Sequence, residues 1–192
     1  MRKHLGGFTL IELMVTLAVL AVLLAAAIPA FVDFRERSAV RGAGSELVSF
    51  WADAKMEAVK RDLPVTVALR KDAGGQVCLG ASTTGTACDC FTQNACDVAE
   101  FPSTQADWQG ATMVGNPTLG PTDTDGDGVA TIDPKRGYLA DAADVGGMTI
   151  QSPGQHAFRL RFYVDRWARP YLCAPTNSPR ILSDYSSRTC AP

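Results

Sequence analysis

Gly6-Gly7-Phe8-Thr9-Leu10-Ile11-Glu12, followed by twenty uncharged residues from Leu13 to Val32, decides how this chain is to be read. A helix of that length reaches across about 30 Å of hydrocarbon. Arg2, Lys3 and His4 precede the apolar run, and the next Lys or Arg is Arg35. That asymmetry puts the N-terminus in the cytoplasm and everything beyond Val32 on the far side. One carboxylate, Glu12, stands at the head of the span. An ionisable group inside a membrane costs roughly 2.5–3.5 kcal/mol on insertion scales and by default marks a functional position.

The span serves one of three ends. It is a plain signal anchor, or a secretory signal peptide with Ala25-Ala26-Ala27 as its small-residue cleavage site, or a leader cut between Gly7 and Phe8. A secretory signal gains nothing from Glu12 at the boundary of its charged and apolar regions. Gly6 and Gly7 have no side chains and let a protease approach the backbone closely. A cut after Gly7 frees an α-amino group on Phe8, four residues before Glu12.

The stretch Gly7-Phe8-Thr9-Leu10-Ile11-Glu12-Leu13 resembles the class III signal of type IV pilins and type II secretion pseudopilins. The resemblance implies cleavage after Gly7 by a prepilin peptidase that also N-methylates Phe8. It places Glu12 as the fifth residue of the mature chain. In a bundle of such helices the Glu12 carboxylate pairs with the Phe8 amine of a neighbouring subunit. Breaking a buried pair costs about 3–5 kcal/mol, so the pair selects the correct stagger between subunits. Pro29 also fits this resemblance, although a proline kink with no role is equally compatible with it.

Beyond Pro29, Val40, Ala43, Leu47, Trp51, Ala54 and Ala58 recur at spacings of three and four, one face of a helix. Glu36, Arg37, Arg41, Lys55, Lys60 and Arg61 fall largely off that stripe. The helix is expected to run from Phe8 to Arg61 and to stop at Asp62-Leu63-Pro64, because a residue before proline leaves the α region. Val65 to Leu69 and Gln76 to Leu79 flank Asp72-Ala73-Gly74-Gly75 as a hairpin. Ala157 to Val164 alternates, with Phe158, Leu160, Phe162 and Val164 on one face. Short strands are expected near Tyr171–Cys173 and Arg180–Leu182. From Gly80 to Gly147 the chain reads as long loops with little regular structure.

The stretch from Ala54 to Val67, with Glu57-Ala58-Val59-Lys60-Arg61-Asp62-Leu63-Pro64 at its centre, resembles the GspH/FimT family of minor pilins and minor pseudopilins. The fold this implies is α+β: a long pilin helix, its N-terminal half transmembrane, packed on an antiparallel sheet or sandwich. The divisions are a leader at 1–7, a membrane or filament-core helix at 8–34, an amphipathic helix at 35–63 and a periplasmic β-rich domain at 64–192. The implied location is the inner membrane with a periplasmic C-terminal domain, then a pilus or the cell surface. The implied partners are other minor and major pilins, the prepilin peptidase/N-methyltransferase and the inner membrane. A FimU- or FimT-like minor pilin is favoured over a secretion pseudopilin, since several pilus members carry a disulfide-closed C-terminus.

All six cysteines lie beyond the span, where they should oxidise. Cys173–Cys190 is expected to close the C-terminal segment. Cys78, Cys88, Cys90 and Cys96 are expected to form two bridges among themselves, in a pairing the sequence leaves open. Zinc is the rival for these four, but Cys88-x-Cys90 is too tight for the usual ligand spacing.

Net charge, −2, excludes little, but its distribution is uneven. From Asp72 to Gly147 there are eleven acids against Lys135 and Arg136; from Met148 onward there are six arginines against Asp165 and Asp184. Asp123, Asp125 and Asp127, with Gly128 and the Val129 carbonyl, match the first half of a calcium loop. The place of the bidentate Glu is taken by Pro134, and Asp133 comes one residue early, so an acidic surface turn is the plainer alternative to Ca2+. Some FimT-type pilins bind DNA through a C-terminal Gly-Arg-x-Arg motif. Here Ser187-Arg188-Thr189-Cys190 stands in the comparable place, and only Arg188 carries over. Arg159, Arg161, Arg166, Arg169 and Arg180 are further candidates for phosphate contact. Trp167, between Arg166 and Arg169, is placed to stack on a base or to plug a core edge. No catalytic constellation is visible: His4 and His156 are far apart, and there is no phosphate loop or Ser/His/Asp motif. An enzyme is therefore not expected. Three roles follow: a structural minor pilin, a DNA-capturing minor pilin and a secretion pseudopilin.

Overall fold

The computed structural model describes residues 9–72, 76–102, 108, 110–115, 118–120, 128–176, 178–188 and 190. Helix α1 runs from Leu10 to Arg61 without a break at position 29. It ends because Asp62 takes a left-handed backbone conformation, φ 53°, and the Leu63 amide reaches back to the Ala58 carbonyl at 3.3 Å. A left-handed residue of this kind is a common helix stop, and Asp tolerates it better than most side chains. The chain divides into two compact units between Arg35 and Glu36.

Among the described residues the second unit holds nine strands. They are β1 (Val65–Lys71), β2 (Val77–Ser82), β3 (Ala99–Phe101), β4 (Thr112–Val114) and β5 (Gly128–Ile132), then β6 (Gly146–Gln151), β7 (Phe158–Val164), β8 (Pro170–Cys173) and β9 (Arg180–Ile181). The first sheet has the order β3-β2-β1-β5, and the second β4-β6-β7-β8 with β9 beside β7. Every pairing is antiparallel except β7–β9. The architecture is α+β.

Val40, Ala43, Leu47, Trp51, Ala54 and Ala58 are all buried. They meet the inner faces of both sheets in one core that includes Val67, Leu79, Ile132, Ile150, Leu160 and Phe162. Trp51 packs on Phe162 with ring centroids 6.2 Å apart, and Phe50 on Phe101 at 6.3 Å. The helix approaches the second sheet closely at Gly44, where a Cβ would stand 3.0 Å from Leu160 and 3.1 Å from Leu172.

The region from Gly80 to Gly147 is more regular than its composition suggests. It holds β3, β4 and all of β5, which joins the first sheet with Ala130 and Ile132 buried. β6 begins within it as well. Gly147, the second residue of β6, lies so close to β7 that a Cβ there would collide with the Phe162 backbone. A glycine that looks like a loop signal in the sequence is therefore a point of close strand approach. Glu36, read among the off-stripe charges, is buried, with 5% of its surface exposed.

Trp51 carries the largest load in this core, since it fills the helix–sheet seam and its indole N–H donates to the Ala168 carbonyl at 3.2 Å. Trp51→Ala is expected to destabilise the second unit by about 3–5 kcal/mol. Urea unfolding followed by far-ultraviolet circular dichroism checks this.

Candidate functional site

Gly7 and Phe8 lie outside the described residues. The described chain opens at Thr9, whose hydroxyl accepts a hydrogen bond from the Glu12 amide at 3.3 Å. The Thr9 carbonyl accepts from the Leu13 amide at 3.2 Å. Thr9 thus caps α1, and Thr9-x-x-Glu12 has the spacing of a capping box. That signal stood in the sequence and was not used. Glu12 is exposed in the first turn, where helix amides favour a carboxylate.

Large apolar side chains from Leu10 to Phe34 are exposed, with Leu10 at 76% and Val22 at 71%. The helix is long and apolar enough to cross a membrane. A backbone satisfied within its own helix, with side chains turned outward, suits lipid or a bundle of like helices.

The three disulfides are Cys78–Cys90, Cys88–Cys96 and Cys173–Cys190. Cys78–Cys90 ties the segment between β2 and β3 onto β2, and Cys88–Cys96 closes that segment on itself over Gly80. A Cβ at Gly80 would collide with the sulfurs of Cys88 and Cys96. The third closes the C-terminal segment onto β8, where Ala174 and Arg188 share a backbone hydrogen bond of 2.8 Å.

The candidate arginines gather around the second sheet. Arg159 donates through Nε to Gln151 Oε1 at 2.8 Å, and Arg161 through Nη2 to Thr118 Oγ1 at 2.9 Å. The Arg161 guanidinium lies 5.9 Å from the Tyr163 ring centre, and that of Arg180 5.8 Å from Phe158. β9 sets Arg180 opposite Phe158, next to Arg159. Arg161 faces Cys173, so the Cys173–Cys190 bridge brings the Arg188 segment to the same sheet.

The calcium candidates are not all brought together. Asp123, Asp125 and Asp127 lie outside the described residues. Val129 is paired with Ala68 inside the first sheet. Asp133 follows the other end of β5, and its Oδ1 accepts from the amides of Lys135 and Arg136 at 2.8 and 3.1 Å. Among the described residues no three His, Cys, Asp or Glu side chains form a metal-binding group.

One polar cluster had no signal in the sequence, because Glu36 lies more than a hundred residues from its partners. The buried Glu36 carboxylate accepts from the Ser152 hydroxyl at 3.0 Å and lies 3.1 Å from His156 Nδ1. The Ser152 oxygen accepts from the Phe158 amide at 3.1 Å. Gly154 passes so close to the carboxylate that a Cβ would collide with it. Since the Ser152 hydroxyl donates a hydrogen bond to the carboxylate, the cluster fastens the β6–β7 connection to the first turn of the second unit.

Residues 2–28 match the family model described as the prokaryotic N-terminal methylation motif. No curated protein and no solved structure matches this chain significantly.

Asp97 secures the disulfide-tied segment. Burial pushes its carboxyl up, but the Thr83 hydroxyl and amide and the Ser82 hydroxyl outweigh that and hold it at about 2. A carboxylate held below its ordinary value of 3.8 adds stability above that value and loses it as pH falls toward about 2. Asp97→Asn is therefore expected to flatten the loss of stability across that acid window and to leave the neutral limb parallel to that of the parent chain. Unfolding midpoints measured against pH with disulfides intact test this.

The match over residues 2–28, on an exposed apolar helix capped at Thr9, makes the N-terminal segment of this chain similar to that of type IV pilin and pseudopilin precursors.

Proposed function

We propose that this chain is a minor pilin, cut between Gly7 and Phe8, N-methylated on Phe8, and incorporated into a type IV pilus or into the complex that primes one. The observation that carries this is the methylation motif at residues 2–28 at the head of a helix that enters a disulfide-closed β domain. The apolar surface from Leu10 to Phe34 finds lipid before assembly and other helices after it. Glu12, held in the first turn, meets the Phe8 amine of a neighbour, so a subunit out of register leaves one charge unpaired.

Glu12→Val removes that charge without shortening the apolar run. The variant is expected to reach the membrane fraction normally and to fall at least about tenfold in sheared filaments, since the lost pair is worth about 3–5 kcal/mol. Immunoblots of membrane and filament fractions read both. Normal incorporation would contradict the role given to Glu12.

DNA capture is a second function for the same subunit. It is supported by the gathering of Arg159, Arg161, Arg180 and Arg188 around the second sheet. Phosphate contacts of this kind weaken steeply with salt. The double substitution Arg180→Ala and Arg188→Ala is expected to abolish a salt-sensitive gel shift while piliation continues. A shift unaffected by salt, or by the two substitutions, would reject DNA capture.

A further inference from the structure

The C-terminal end of α1 carries a second apolar stripe that the core does not use. Ala52, Met56 and Val59 are exposed at spacings of four and three, and Leu63 continues them. Beside this stripe two rings face solvent. Trp167 is 48% exposed and Tyr138 40%, whereas Trp51 is fully buried and Trp108 nearly so. The two rings meet edge to face, with centroids 4.7 Å apart. Gly137, next to Tyr138, lies against Lys55 and Val59, so stripe and rings form one surface.

Trp167 is held outward. Its amide donates to Asp165 Oδ1 at 2.9 Å, and its carbonyl accepts from Lys55 Nζ at 3.0 Å. The following residue, Ala168, is buried and anchored by the Trp51 indole. A ring that is fixed in the open and bordered by aliphatic groups has the composition of an interface anchor.

The surroundings are cationic. Lys135, Arg136, Arg166 and Arg169 are exposed there. The carboxylates of the two turns are engaged locally, while on α1 Glu57 pairs with Lys60 and Arg61 and Asp53 and Asp62 are exposed beside the stripe. Asp133 accepts from the amides of Lys135 and Arg136, and Asp165 from the amides of Trp167 and Arg169 and from the Arg169 guanidinium. The complement is an acidic peptide. Met56 and Val59 favour a peptide over a nucleic acid, whose phosphates gain nothing from them.

The chain supplies such a peptide in Asp123, Asp125 and Asp127, with no Lys or Arg from 121 to 127. Asp127 is bonded to Gly128, the first residue of β5, while the cationic turn starts after Ile132, the last. Five strand residues span about 17 Å, so acid and base attach at opposite ends of one strand. We propose that the Tyr138–Trp167 surface docks the acidic segment 121–127 of a second copy of this chain, head to tail. This docking rests on the assembly function proposed above and names the partner at one surface.

The test uses the full chain in membranes that contain the pilus-assembly machinery. A photo-crosslinking p-benzoylphenylalanine replaces Trp167 in one strain and Leu20 in another. The expected product from position 167 is a dimer of this chain, joined through the peptide that contains residues 121–127. Reversing Asp123, Asp125 and Asp127 to Lys should lower its yield by about tenfold or more. Adding Arg136→Glu and Arg166→Glu should restore it. A product from position 20 with none from position 167 overturns the docking and leaves assembly standing. A product at 167 that joins another protein, a nucleic acid or another segment, or that ignores charge reversal, also overturns the docking. Absence of both products overturns assembly and the docking with it.

Discussion

The burial of one helix stripe governs the second unit. Val40, Ala43, Leu47, Trp51, Ala54 and Ala58 give both sheets a common surface to close on, and helix and sheets share one core. Small residues along the stripe let the helix approach the strands, and Gly44 brings it into contact with Leu160 and Leu172. Trp51 then fills the space that those small residues leave. Glu36, fastened to Ser152 and near His156, marks where this packed half of the helix begins.

The same helix has the opposite character from Leu10 to Phe34. There the apolar side chains are exposed, and nothing in the chain's own core uses them. A segment of this kind needs a low-polarity surround from outside the molecule, either lipid or other helices. The methylation motif at residues 2–28 lies on this segment, and under the proposed function it meets lipid first and other helices afterwards. On that reading one helix joins a folding function at its C-terminal half to an assembly function at its N-terminal half.

The legible parts of the fold were those whose pattern is local. The buried stripe of α1 shows as a helical period, and β7 shows as strict alternation from Phe158 to Val164. β5 and β6 were missed because they are short and bordered by glycine and aspartate. The glycines here answer to neighbouring backbone: Gly147 of β6 to Phe162 of β7, and Gly120, outside both strands, to the Val129 carbonyl of β5. Glu36 looked like solvated charge, since its partners Ser152 and His156 lie at the far end of the sequence. At the N-terminus the position of Glu12 was legible, but its local support was overlooked: the Thr9 cap was available from the Thr-x-x-Glu spacing alone. The cationic surface at Trp167 could not be foreseen, because β5, the β7–β8 turn and α1 each contribute one part of it.

The central claim is that the apolar helix is presented to other subunits with a free, methylated amine at its head. Mass spectrometry of the N-terminal peptide, from chain isolated with an active prepilin peptidase, tests it most directly. The account predicts a mature chain that begins with N-methylated Phe8. A chain that begins beyond Ala27, or one that keeps Met1 in the presence of the active peptidase, would contradict it.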